Sequence, residues 1–246
     1  MTGYKKESIS LLLFLILFST GFSQKILIPY RNKNLWGYAD TSGVIKIQPI
    51  YDSADFFNFS KTVTEVYKDR KVSLITIDGN LLFPLSDSYQ IFGNNYFVTK
   101  DKKQGVYSKT GKLLVPIEYD LIECTCYYHE YEKEKNKVIG LKNNKYYLID
   151  LTTQLVQQIS SPKNEQANES TIREGIVLAP DNIGTTSVPW PQYSANDFPE
   201  LTGLKNLVHC KTIYLDGKPV FYIFCKWNNR QMTGYVGQNG VEFFKD

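Results

Sequence analysis

The sequence predicts an all-β protein built from tandem antiparallel hairpin units, and three observations carry that prediction. A phrase recurs in register: Leu-Trp-Gly-Tyr-Ala-Asp-Thr-Ser-Gly at 35–43 is followed eight residues later by Tyr51-Asp52, and Lys-Gln-Gly-Val-Tyr-Ser-Lys-Thr-Gly at 103–111 is followed at the same distance by Tyr119-Asp120. Phrases that return at a spacing of tens of residues mark a repeat architecture. The segments around them alternate apolar and polar residues, the period of a strand with one buried face. The 18 tyrosines and 14 phenylalanines add to this, because aromatic and β-branched side chains fit a pleated, half-buried surface.

The elements follow in order. Lys5 and Lys6 precede an apolar run from Leu11 to Phe18, which gives way to small residues including Gly21 and Ser23. A charged start, a short apolar middle and a small-residue exit make residues 1–23 a signal peptide. The run is shorter than the roughly 20 residues a membrane span needs, and no later stretch is long enough. The expected product is exported, periplasmic or secreted, with no transmembrane segment after signal cleavage.

Residues 24–159 hold four units, and a fifth lies in 207–246. The aligned phrases are 35–43, 71–79, 103–111, 145–153 and 232–240, with Trp36, Val72, Gln104, Tyr146 and Thr233 in the tryptophan slot. Gly43, Gly79, Gly111 and Gly240 fall where the chain must reverse, the place for a residue that takes positive φ at no steric cost. A strand precedes each phrase (26–30, 63–67, 96–99, 138–141, 220–224), and a third follows several of them (44–47, 81–83, 113–115). Two of these end near Pro49 and Pro116, which cannot donate to a ladder. Each unit therefore reads as a three-stranded antiparallel meander. A lone meander cannot bury its apolar face, so units must stack. The expected array is solenoid-like or partly curled; the alternative is a closed, propeller-like ring, which normally takes about four strands per unit.

At these residues the chain resembles the WG (Trp-Gly) repeat family of bacterial exported and envelope proteins. The first unit matches that family's pattern in Trp36, Gly37, Tyr38, Asp40, Gly43, Pro49, Tyr51 and Asp52. The third keeps Gly105, Gly111, Pro116, Tyr119 and Asp120, and the fifth keeps Gly234, Tyr235 and Gly240. The second and fourth are degenerate. The resemblance implies an all-β repeat fold and supplies no established reaction or ligand.

Between 160 and 206 the pattern stops. Pro180, Pro189, Pro191 and Pro199 punctuate an irregular segment, and Ser194 to Asp197 suit the cap of a short helix. Its expected roles are a cap over an open sheet or a ligand-binding insert.

The chemistry points away from catalysis. No Gly-x-Ser-x-Gly or phosphate-cradling glycine loop occurs, and nothing nominates a carboxylate pair. Cys124, Cys126 and His129 carry zinc-type ligands, yet no fourth ligand stands at metal-site spacing, so no catalytic, metal or cofactor residue is assigned. Cys210 and Cys225 flank the turn at 216–219 and read as directly opposed on a hairpin, a possible disulfide. With 28 basic against 25 acidic residues, net +3, the chain lacks the strong basic bias of a nucleic-acid footprint. Asp52 and Asp120 recur in register and read as turn formers. The expectation is a non-catalytic protein-interaction scaffold of the cell envelope. A glycan or cell-wall binder using exposed aromatics (Trp190, Tyr193, Trp227, Tyr127, Tyr128) is the alternative, and a structural filler without a specific ligand is the third.

Overall fold

The structure, a computed structural model, describes residues 26–57, 62–125, 136–162, 193–215 and 217–246. They form five small sheets. The first contains β1 (Ile28–Asn32), β2 (Leu35–Ala39) and β3 (Ile45–Tyr51). The second contains β4 (Ser53–Ala54), β5 (Val63–Lys68) and β6 (Lys71–Thr76). The third runs β7 (Ser88–Phe92), β8 (Asn95–Lys100), β9 (Lys103–Ser108) and β10 (Leu113–Tyr119), and the fourth β11 (Leu121–Cys124), β12 (Lys137–Lys142), β13 (Lys145–Asp150) and β14 (Val156–Ile159). The fifth holds β15 (Leu207–Leu215), β16 (Lys218–Asn228) and β17 (Gln231–Gly237), after which β18 (Phe244–Lys245) crosses to pair in parallel with β1.

The unit thus has a strand that the three-strand reading missed. A leading strand pairs with the hairpin that follows it, short in β4, β7 and β11 and nine residues long in β15, and β18 occupies the corresponding edge of the first sheet. An aspartate immediately before β4, β7 and β11 explains the extra strand there. Asp52 donates its amide to the Tyr67 carbonyl and its carboxylate accepts the Asp69 amide at 2.7 Å; Asp87 and Asp120 repeat both bonds with Thr99 and Asp101, and with Leu141 and Asn143. Each aspartate therefore stitches one unit to the hairpin tip of the next. The tips themselves are two-residue turns with both residues at positive φ at 69–70, 101–102, 143–144 and 229–230, the geometry that matches strand twist.

The second turn of each unit is where the aligned glycines act. Gly43, Gly79, Gly111 and Gly240 lie at φ between +75 and +88°, and each amide closes a turn onto the residue three before it. Side-chain oxygens at the head of the turn reinforce it: Asp40 Oδ1 accepts the Ser42 and Val44 amides, and Ser108 Oγ those of Thr110 and Lys112. In the fourth unit the left-handed residue is Gln154 at φ +60°, one position beyond the aligned Thr153, because that turn carries an extra residue.

Buried clusters give the packing order. Tyr38, Ile47 and Tyr51 meet Ala54, Val66 and Ile75 between the first and second sheets. Leu74 and Phe83 meet Tyr96 and Val98 between the second and third. Val106, Val115 and Tyr119 meet Ile122, Val138 and Ile149 between the third and fourth. The fifth sheet packs on the first, with Ile213, Phe221, Ile223 and Phe243 against Ile28 and Ala39. Its other face is covered by the end of the interrupting segment, where Leu201, Ala195, Phe198 and Leu204 lie on Phe224 and Val236. The turn glycines follow the same order, facing Leu82 from Gly111, Ile47 from Gly79, Val241 from Gly43 and Glu200 from Gly240. The face that a closed ring would offer to the fourth sheet is occupied by residues 195–204. Among the described residues the array is an open stack in the order fifth, first, second, third, fourth.

Candidate functional site

The repeat signature residues build the stack. Tyr38 is fully buried and donates its hydroxyl to the Asp55 carbonyl at 2.8 Å; burial raises its pKa well above the usual phenol value. Gly37 and Gly105 sit under the third strand of their units. A Cβ on Gly37 would stand 2.3 Å from the Ile47 carbonyl oxygen, and one on Gly105 2.8 Å from that of Val115. Both third strands are bulged there, around Pro49 and Pro116. Gly234 lies under the Phe244 ring. Trp36 and Tyr235 come together with ring centroids 5.8 Å apart, and Phe56 packs edge-on to Tyr235 at 4.8 Å. Two phrase positions from opposite ends of the sequence thus join the first sheet to the fifth.

The cysteine pair is not in the expected register. Cys225 opposes Val208, and Cys210 is the extra residue of a bulge between His209 and Lys211. The hairpin closes with Leu215 opposite Lys218, tighter than a four-residue loop at 216–219, and the two bulges, one on each strand, cancel, so Cys210 lies diagonally from Cys225. Cys124 stands on β11, while Cys126, Tyr127, Tyr128, His129 and Trp190 lie outside the described residues.

A concave site forms where residues 193–207 return to the fifth sheet. Ser194 caps a single 3-10 turn (Ala195–Asp197): its hydroxyl accepts the Asn196 amide, and the Asp197 carboxylate accepts the Ser194 amide at 2.9 Å. Pro199 opens a second 3-10 turn (Pro199–Leu201), so the expected short helix is split in two where the proline removes a donor. Between these turns and β15 lies a cleft of about 300 Å³, lined by Tyr193, Ser194, Ala195, Asn196, Leu204, Asn206, Leu207, Val208 and His209.

The cleft is uncharged. Tyr193 packs edge-on to Tyr222 at 4.4 Å and to His209 at 5.3 Å, and its hydrogen bond to Tyr222 raises the latter's phenol pKa. Burial lowers the His209 pKa, which keeps the imidazole neutral at pH 7, and its Nε2 bonds Thr212 Oγ1 at 2.9 Å. Val208 is 57% exposed beside the cleft, and Trp227, on the neighbouring strand, is 39% exposed. No carboxylate lines the cleft, and among the described residues no three His, Cys, Asp or Glu side chains group to hold a metal. A neutral wall in which polar groups outweigh apolar ones suits an uncharged, hydrogen-bonding group the size of a side chain or a sugar ring.

Of the aromatics singled out from sequence, the structure brings Tyr193 to the cleft and leaves Trp227 on the exposed surface of the same sheet. Asn206 and His209 carry no sequence signal of this site; the Ser194-x-x-Asp197 capping pattern is the one sign of an ordered turn.

Among known proteins, a family model described as WG containing repeat matches residues 36–61, which makes the first unit similar to that family. No curated protein matches the chain. The match covers one unit of an array whose other units have drifted: only Trp36 keeps the tryptophan.

Proposed function

We propose that this β-repeat protein is a non-catalytic, exported scaffold of the cell envelope that docks another protein at the capped end of its stack. The observation that carries this reading is the cleft at residues 193–209, which includes the exposed Val208 and is lined by neutral polar side chains interleaved with apolar ones. Such a surface seats a non-ionised side chain of a partner. The signal-like N-terminus supports export, and the structural use of every recurring glycine and aspartate leaves the repeats themselves without chemistry.

Tyr193 and the exposed Trp227 favour a second reading, stacking on a sugar ring. One experiment separates the two. The mature chain and its Val208→Asp and Tyr193→Ala variants are incubated with envelope proteins and, separately, with insoluble cell-wall polysaccharide. The scaffold reading expects a retained envelope protein that Val208→Asp loses at least tenfold, with no polysaccharide retention. Retention on polysaccharide that Tyr193→Ala abolishes would replace it with the glycan reading.

A further inference from the structure

We infer that Cys210 and Cys225 form an oxidisable dithiol, a modification site that closes into a disulfide across β15 and β16 and fastens the strand lining the cleft.

The geometry begins with the bulge. Val208 opposes Cys225, His209 opposes Phe224, and Lys211 opposes Ile223, which leaves Cys210 as the additional residue between them. In a bulge the extra residue and its successor face the same strand position, so Cys210 turns toward the face that carries Ile223 and Cys225. Its sulfur lies 3.4 Å from the Ile223 carbonyl oxygen, and the two thiols are near enough for each to shift the other's ionisation. Cys225 is buried and Cys210 exposed, so one sulfur is open to a reagent and the other is shielded behind it. The Cys225 side chain and burial raise the Cys210 pKa while that of Cys225 is lowered, so accessibility and not acidity makes Cys210 the thiol a donor meets first and leaves Cys225 as the resolving thiolate.

That arrangement suits two-step thiol–disulfide exchange with a disulfide donor, such as a thiol–disulfide oxidoreductase of an oxidising compartment. Cys210 loses its proton to solvent and its sulfur attacks the donor's disulfide, releasing one donor thiol and leaving a mixed disulfide. The Cys225 thiolate then attacks the Cys210 sulfur, breaks the mixed disulfide and releases the second donor thiol. Two protein thiols lose two protons and two electrons, and the donor disulfide gains them.

The consequence is local. β15 supplies Leu207, Val208 and His209 to the cleft, and it pairs with β16 alone in its sheet. A bond from Cys210 to Cys225 holds this edge strand in register whatever occupies the cleft.

The test uses the full mature chain with glutathione disulfide as the donor, followed by alkylation of remaining thiols, trypsin and mass spectrometry. Trypsin cuts after Lys205, Lys211 and Lys226 but not before Pro219, so the bond joins peptide 206–211 to peptide 212–226. The expected result is that joined pair, with slower hydrogen exchange along β15 in the oxidised form. A stable glutathione adduct on Cys210 beside an unmodified Cys225 overturns the proposal, since a resolving thiol in contact would have displaced it. So does a link from Cys210 to Cys124 or Cys126, or alkylation of all of these thiols after the oxidation step.

Discussion

Gly37 is the position where a single methyl group should cost the fold most. Its Cβ would meet the Ile47 carbonyl oxygen at 2.3 Å, the Gln48 carbonyl carbon at 2.6 Å and the Gln48 oxygen at 2.7 Å. All three are backbone atoms, so no rotamer change relieves the clash. To restore ordinary contact β3 has to retreat by about 1 Å. That retreat breaks the pairing of Tyr38 with Ile47 and of Trp36 with Tyr51, about 1 kcal/mol for each hydrogen bond lost, and strains a packed core by about 1–3 kcal/mol. Against this, alanine gains about 0.5–1 kcal/mol over glycine by restricting the unfolded chain. The net loss for Gly37→Ala is about 2–4.5 kcal/mol. Gly93 provides the control: its φ is +57° and a Cβ there meets nothing within 4 Å, so Gly93→Ala costs only the left-handed backbone term, about 1–2 kcal/mol. Urea unfolding followed by circular dichroism reads both, with the Gly37→Ala midpoint falling the further. Equal midpoints for the two variants would refute the assignment of Gly37 to strand crossing.

Other expectations follow from the same geometry. Phe243→Ala removes a fully buried ring between the fifth and first sheets and should cost about 3–5 kcal/mol; hydrogen exchange should accelerate first in β15–β17 and β1, and uniform acceleration through the fourth sheet would count against the packing order. Asp40 has its pKa lowered to about 2, first by the Ser42 hydroxyl bond and then by Lys46 and the Val44 and Ser42 amides. Its unfolded value is near 3.9, so its contribution is present above about pH 4 and is lost as pH falls toward 2. The contribution at this largely solvated group is small, so the urea midpoints of the parent and Asp40→Ala should differ slightly at pH 6, draw together below about pH 4 and converge only below about pH 2.

The parts of the fold that were legible are those fixed by local backbone demands. Gly43, Gly79, Gly111 and Gly240 could be aligned because only a residue tolerant of positive φ closes that turn, and the period-two runs gave the hairpins. The fourth unit was misaligned by one position because its left-handed residue is a glutamine and carries no signature. The leading strands were missed since Ser53–Ala54 and Leu121–Cys124 are too short to show a period, and they are defined by the aspartate bonds to the next hairpin. The displaced cysteine register came from the turn, which closes with Leu215 opposite Lys218 where 216–219 read as the whole loop. The cleft was hardest to foresee. Its walls come from a segment without periodicity, and Asn206 and His209 gain meaning only when the chain returns to the fifth sheet.

The packing order also changes what the long interruption signifies. Counting along the stack, the fourth and fifth sheets are separated by the third, second and first. Four steps of about 10 Å each exceed the roughly 20 Å reach of a usual connection of about six residues. The segment between Ile159 and Leu207 runs from 160 to 206, long enough to make the crossing. Its length therefore follows from where the fifth unit docks, and length alone is no longer a reason to look for function along all of it. The part that matters is the portion that has arrived. Residues 193–206 cover the outer face of the fifth sheet, where a sixth unit would otherwise stack, and they place Gly240 against Glu200 as other turn glycines lie against neighbouring sheets. Single 3-10 turns fill that place less completely than a sheet does, and the space they leave is the cleft. The capped end differs from every other described sheet-to-sheet interface in this one respect, which is why the proposed docking is placed there.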